Sequence, residues 1–192
     1  MDIIELILDE DQDNFVEAIS VVENPAIEED FVALKSQTFK FEKQDEEKKI
    51  LIGPILIPNK PIYRRSGDRE YYIYFSRETV RKASQLYLKQ NMQHNSTLEH
   101  QMALTGLTLV ESWIIDDKAN DKSNSFGMDL PLGSWVGAIK VDNDEVWNGY
   151  VKTGKVKGFS IEGYFADKMQ TPEDDEEQLS KGLINELKDL LK

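Results

Sequence analysis

The chain predicts an α+β fold, a small, mostly antiparallel sheet or β-barrel with flanking helices. Three observations predict it. Apolar, β-branched or aromatic runs of strand length, such as Ile50–Pro58 and Tyr71–Phe75, recur between turn residues. Only two or three segments repeat their apolar residues at helical spacing. The strand-like segments, about seven in all, mostly follow one another instead of alternating with helices as a doubly wound fold requires.

Residues 19–35 read as two short strands around a turn at Asn24-Pro25. After a charged stretch, Phe41–Lys49, the run Ile50–Pro58 is apolar enough for a buried strand, and Gly53-Pro54 predicts a bulge or an edge within it. Tyr71–Phe75 is a further strand. Ser76 is placed to cap a helix from Arg77 to about Gln90, whose buried face is Val80, Ala83, Ser84 and Tyr87. A strand from Leu107 to Ile115, a polar loop from Asp116 to Asp129 and a strand from Ser134 to Val141 follow. Asp142 or Asn143 caps a short helix bearing Val146, Trp147, Tyr150 and Val151, which Gly154 ends. Gly158–Ala166 is the last strand. An acidic linker, Asp167–Glu177, leads to an amphipathic helix with Leu179, Leu183, Leu187 and Leu190 in register. No internal repeat is evident.

Composition narrows the chemistry. The 192 residues suit one compact domain with extensions. The absence of cysteine excludes disulfides, thiolate zinc sites and a cysteine nucleophile, and makes a reducing cytoplasm the simplest home. A net charge of -13 argues against nucleic acid as a partner, because phosphate contacts need excess Lys and Arg. No signal peptide and no membrane-spanning run is visible. Neither a phosphate loop nor a dinucleotide fingerprint occurs. His94 and His100 lack the spacing of a zinc helix, and the acidic clusters lack the pattern of a calcium loop, so neither a metal nor a cofactor is expected.

What remains is metal-free chemistry or none. In Gly158-Phe159-Ser160-Ile161-Glu162-Gly163, alternation puts Ser160 and Glu162 on one strand face, with Phe159 and Ile161 on the other. Flanking glycines let a substrate backbone approach such a serine. The block is not the nucleophile elbow of α/β-hydrolases, since Glu162 stands where that motif has glycine. A serine nucleophile needs a base and a group to orient that base. His100 is the candidate base: if 97–101 is extended, it shares a face with Leu98 and emerges at the margin of the core. Glu111 alternates onto the face of Leu109, Trp113 and Ile115, where a carboxylate needs a partner, so it is a candidate orienter. Each residue alone also has a plain structural reading, as surface serine, exposed histidine or salt-bridged carboxylate.

Several segments together resemble a known family. Gly53–Pro58 with Ile62–Arg65, then Tyr71–Ser76, Asn95–His100, Val110–Trp113, Pro131–Trp135, Trp147 and Gly158–Phe165 occur in the order found in phage serine proteases of the XkdF type. These are relatives of the prohead proteases that process tailed-phage capsids. The resemblance spans about residues 19–166. It implies a serine protease domain over 19–166, with 1–18 as an N-terminal extension and 167–192 as a linker and helix. It further implies a barrel like that of herpesvirus assembly proteases, with Ser160 as nucleophile and His100 as base. In those relatives the third member is a second histidine, and His94 is too far along an extended strand to serve. An acidic third member is therefore expected, Glu111 by preference and Glu162 in reserve, Glu162 otherwise lining the substrate groove.

The resemblance also implies a setting: host cytoplasm, inside the assembling procapsid, with scaffold or core proteins, the major capsid protein and the chain itself as substrates. Self-association is left open. A non-catalytic capsid or scaffold component of the same fold, a different hydrolase such as an esterase, and an acidic binding module are the competing expectations.

Overall fold

The computed structural model describes residues 2–8, 14–26, 32–34 and 48–168. The expected linker and leucine-striped helix at the C-terminal end lie outside the described residues, apart from the first two positions of the linker.

The architecture is mixed α+β and mostly strand. Twelve strands form three four-stranded sheets among the described residues. The first sheet orders β12 (Ala166–Lys168), β1 (Asp2–Ile7), β6 (Arg69–Phe75) and β5 (Ile62–Ser66). The second orders β3 (Val32–Leu34), β4 (Ile50–Leu56), β10 (Trp135–Val141) and β9 (Leu107–Ile114). The third orders β11 (Gly158–Gly163), β2 (Val16–Val22), β7 (Ser96–Leu98) and β8 (Met102–Leu104). The β1–β6 and β2–β7 ladders are parallel; the others are antiparallel.

The expected small barrel is not found, because no hydrogen-bonded ladder among the described residues closes the sheets into a ring. β11 lies beside β4 without pairing to it. The sequence of β4 supplies a reason. Pro54 has no N–H to donate. The register against β10 also slips between the Trp135–Leu56 and Val136–Pro54 pairs, leaving Ile55 as an extra residue. Gly53-Pro54 thus marks a bulge, as expected, and β4 and β11 meet along a seam without a ladder.

One helix ties the sheets together. α1 (Arg77–Lys89) starts at Ser76, whose Oγ accepts from the Thr79 N–H at 3.3 Å. It buries Val80, Ala83, Ser84 and Tyr87, the face that the 3.6-residue period predicts. α1 touches β6, β2, β9 and β10, so it contacts strands of all three sheets. Its anchor is Tyr87, fully buried and set edge-on against Trp135 with ring centroids 5.7 Å apart. Burial pushes the Tyr87 phenol well above its usual range. The neutral hydroxyl donates to the Asn95 carbonyl at 3.0 Å.

A second, shorter helix, α2 (Asp144–Val146), is capped by Asn143, one of the two caps that the sequence offers, and runs into a wider π turn over Trp147–Val151. Residues 2–7, read from sequence as part of an extension, form an interior strand of the first sheet. The single strand expected over Gly158–Ala166 is two: β11 ends at Gly163, and β12 joins the first sheet beside β1.

Candidate active site

The third sheet carries the site. Its middle strand β2 is apolar along most of its length, yet contains Ser20 at 0% exposure. Ser20 stands opposite Ser160 on one side and Thr97 on the other. Paired residues share a sheet face, so Thr97, Ser20 and Ser160 form a row across three strands. Glu162 lies two residues from Ser160 on that face, about 7 Å along β11. Its cross-strand partner is Ala18. The small side chains of Ala18 and Ser20 leave a trough, and the Thr97 hydroxyl spans it to donate to the Glu162 carboxylate.

His100 enters from the end of β7. The expected extended conformation of 97–101 ends at Leu98, where the chain turns and the Gln101 N–H donates to the Leu98 carbonyl at 3.0 Å. Glu99 and His100 both adopt left-handed backbone, with φ of 51° and 57°. Two consecutive non-glycine residues there cost about 1–2 kcal/mol each. Such strain persists only where surrounding bonds over-determine it, and it concentrates at functional sites. Those bonds are present. The His100 N–H donates to Ser20 Oγ at 3.1 Å, and the Glu99 N–H donates to the Val21 carbonyl at 3.2 Å. The Glu99 carboxylate accepts from the Glu23 N–H at 2.7 Å.

This turn folds His100 back over the row. Its backbone is fixed to Ser20, the cross-strand neighbour of Ser160, and its ring reaches β11, with Nδ1 3.1 Å from Glu162 Oε1. The carboxylate beside the imidazole is therefore Glu162, the residue held in reserve. With Nδ1 so engaged, Nε2 is the nitrogen left to exchange a proton with a nucleophile. The Ser160 hydroxyl forms no hydrogen bond among the described residues, and its side chain is half-buried.

Glu111, the preferred orienter, sits elsewhere. It is on β9 in the second sheet, its carboxylate ion-paired with Lys122. The Lys122 ammonium also lies 3.8 Å from the Trp113 ring centroid. Between the Ile139–Leu109 and Ala138–Glu111 pairs the register shifts by one residue. Val110 is the extra residue, so strict alternation fails there and Glu111 comes out exposed. The desolvation that singled out Glu111 does not arise. His94 is also apart, its Nδ1 3.0 Å from Thr108 Oγ1.

Ser20 and Thr97 are the site residues that reading the sequence for catalytic types missed. Ser20 had a signal, a hydroxyl inside the apolar run Ile19–Val22 that needs buried partners. Thr97 had none, since its role rests on a neighbour 65 positions away.

No group of three or more His, Asp or Glu among the described residues is arranged to hold a metal ion. No described helix is long and apolar enough to cross a membrane. Comparison with curated proteins and with solved structures returns no match. The family profile described as putative phage serine protease XkdF matches residues 38–170, more than half of the chain. That span contains His100, Ser160 and Glu162, whereas Ser20 lies before it. The chain belongs to the XkdF family, described as putative phage serine proteases.

Proposed function

We propose that this protein is a serine endopeptidase of phage procapsid maturation, with Ser160 as nucleophile, His100 as general base and Glu162 as the group that orients His100. The observation that carries the reading is the Glu162–His100 contact at 3.1 Å, on a ring whose backbone is anchored to the cross-strand neighbour of Ser160. Glu162 holds the tautomer with the proton on Nδ1, which leaves Nε2 basic. Nε2 takes the Ser160 proton as Oγ attacks a peptide carbonyl, then returns it to the leaving amine; water repeats the cycle on the acyl-enzyme. Glu162 also offsets the charge of the imidazolium that forms in each half-reaction. Ser20 and Thr97 act through others: Ser20 holds the His100 backbone, and Thr97 holds the Glu162 carboxylate.

Scaffold or core proteins, the major capsid protein and the chain itself are the substrates under this reading, and the assembling procapsid in the host cytoplasm is the place of action. Kinship with herpesvirus assembly proteases belongs to the same proposal. A second reading, a non-catalytic capsid or scaffold component, is favoured by one observation: Ser160 makes no hydrogen bond to His100.

One experiment separates them. The intact chain and Ser160→Ala are each co-expressed with the scaffold and capsid proteins encoded beside it, and all products are read by intact mass. Fragments that depend on Ser160 establish the peptidase and give its cleavage sites. Identical masses from both, with procapsids properly assembled, establish the structural component.

A further inference from the structure

Among the described residues β11 is an outermost strand of the third sheet. A cavity of about 200 Å³ lies against that edge. Its wall includes Phe159, Ser160 and Ile161. Side chains of successive strand residues point to opposite faces, so a space touching three in a row meets the strand edge-on. The rest of the wall is mainly apolar, with Ile55, Ile73, Phe75 and Phe165 prominent. This is the seam where β4 and β11 lie side by side without a ladder. An apolar cavity of about 150 Å³ takes a benzene ring. The space beside Ser160 therefore suits one aliphatic or aromatic side chain.

A second, open cleft of about 650 Å³ continues from it. The two share Ala26, Ile62 and Arg64 in their walls. The cleft touches Pro61, Ile62, Tyr63 and Arg64 in succession, so it runs along β5, one of the two end strands of the first sheet among the described residues. The channel thus runs from the β4–β11 seam beside Ser160 to β5, which ends its sheet among the described residues, and the edge of a sheet takes extended peptide. Tyr72 and Lys157 also line the cleft, and Glu23 is the carboxylate among its lining residues. Arg64 donates from Nη1 to the Tyr63 carbonyl at 3.2 Å. Neither Arg64 nor Lys157 forms an ion pair among the described residues, although the chain carries 36 acidic against 23 basic side chains. Two unpaired cations on one cleft of so acidic a protein are complementary to a negatively charged segment.

We propose that cavity and cleft form one recognition groove for an extended peptide, which places an apolar side chain in the cavity beside Ser160 and a nearby acidic residue against Arg64 and Lys157. The proposal rests on the peptidase reading for its setting, and its test is by binding, so that the two can fail separately.

The test uses the full chain as Ser160→Ala, ¹⁵N-labelled, titrated with decapeptides of Ser and Gly carrying one Leu and one Glu at separations of one to four residues. Counterparts carry Ser for Leu or Lys for Glu. The expected result is saturable shifts at Ile55, Arg64 and Phe159 with the Leu/Glu peptides. Their affinity exceeds that of either counterpart by about tenfold, the scale of one buried apolar side chain or one reversed charge. Arg64→Glu then reverses the preference between Glu and Lys peptides, and Lys157→Glu, at a second exposed position, reads the same reversal should Arg64→Glu unfold. Equal affinity for all peptides, no saturable binding, or a preference unmoved by either reversal overturns the groove. Selective binding with no Ser160-dependent cleavage keeps the groove and removes the peptidase; Ser160-dependent cleavage blind to both charge reversals does the opposite.

Discussion

Replacing Glu162 by Gln tests the site at its most specific contact. The Nδ1–Oε1 distance is 3.1 Å, and the His100 and Glu162 side chains are 40% and 28% exposed. For unit charges at that separation, the gross attraction is about 5 kcal/mol at an effective dielectric of 20 and about 1 kcal/mol at that of water. The exposure of both partners puts the net value at the low end. Gln keeps an oxygen that accepts from Nδ1–H, so tautomer and orientation survive and the charge alone is lost. About 1–2 kcal/mol of transition-state stabilisation should disappear, or about 5- to 30-fold in turnover. The assay is the rate at which Ser160-dependent fragments appear, by intact mass, from purified scaffold substrate. Glu111→Gln is the internal control, because its carboxylate serves Lys122 and should leave the rate unchanged. A Glu162→Gln enzyme as fast as the parent, or a Glu111→Gln enzyme slowed tenfold, would refute this assignment of the third member.

Three further outcomes are expected. Ser20→Ala removes the acceptor for the His100 N–H and the donor to the Thr97 carbonyl, so urea unfolding should show a loss of about 1–2 kcal/mol and turnover should fall with it. A Cβ at Gly163 would overlap the Phe15 carbonyl oxygen and approach Val16 Cα to 2.9 Å, a backbone clash that no rotamer relieves. Gly163→Ala should therefore cost about 2 kcal/mol or more in thermal unfolding and disturb Glu162 beside it. The third concerns acid. Burial pushes the Asp121 carboxyl up, but the bonds from Ser123 and Trp113 and the Lys122 charge outweigh it and hold the group below its usual 3.8. A carboxyl lowered on folding stabilises the protein above its unfolded value, and that contribution is lost as pH falls through the folded value. Asp121→Asn should thus lower the urea midpoint at pH 7 more than at pH 3; an equal loss at both would count against the argument.

Much of the fold could be read directly from residue patterns. Ser76 and the Val80, Ala83, Ser84, Tyr87 stripe located α1 because capping and helical period are local properties. The strand at Ile50 and its bulge at Gly53-Pro54 were legible for the same reason, since a missing N–H acts on its own residue. Sheet order was not. β1 pairs in parallel with β6, some 70 residues later, and β2 with β7 across a similar gap, and no local signal encodes such partners. The barrel expectation failed at the β4–β11 seam, where closure depends on two distant strands meeting in register.

The site divides along the same line. Ser160, His100 and the two acidic candidates for the third position could be named from sequence, because residue type limits which groups can act as nucleophile, base and orienter. Tertiary structure set one of the two acids beside the imidazole and the other in a different sheet, through two short-range irregularities that alternation does not foresee. A one-residue bulge at Val110 turned Glu111 out to Lys122. A left-handed turn at Glu99 and His100, fixed by the Ser20 hydroxyl, swung the imidazole onto Glu162. Side-chain type is written residue by residue, whereas the direction a side chain takes depends on bonds from strands 60 to 80 positions away.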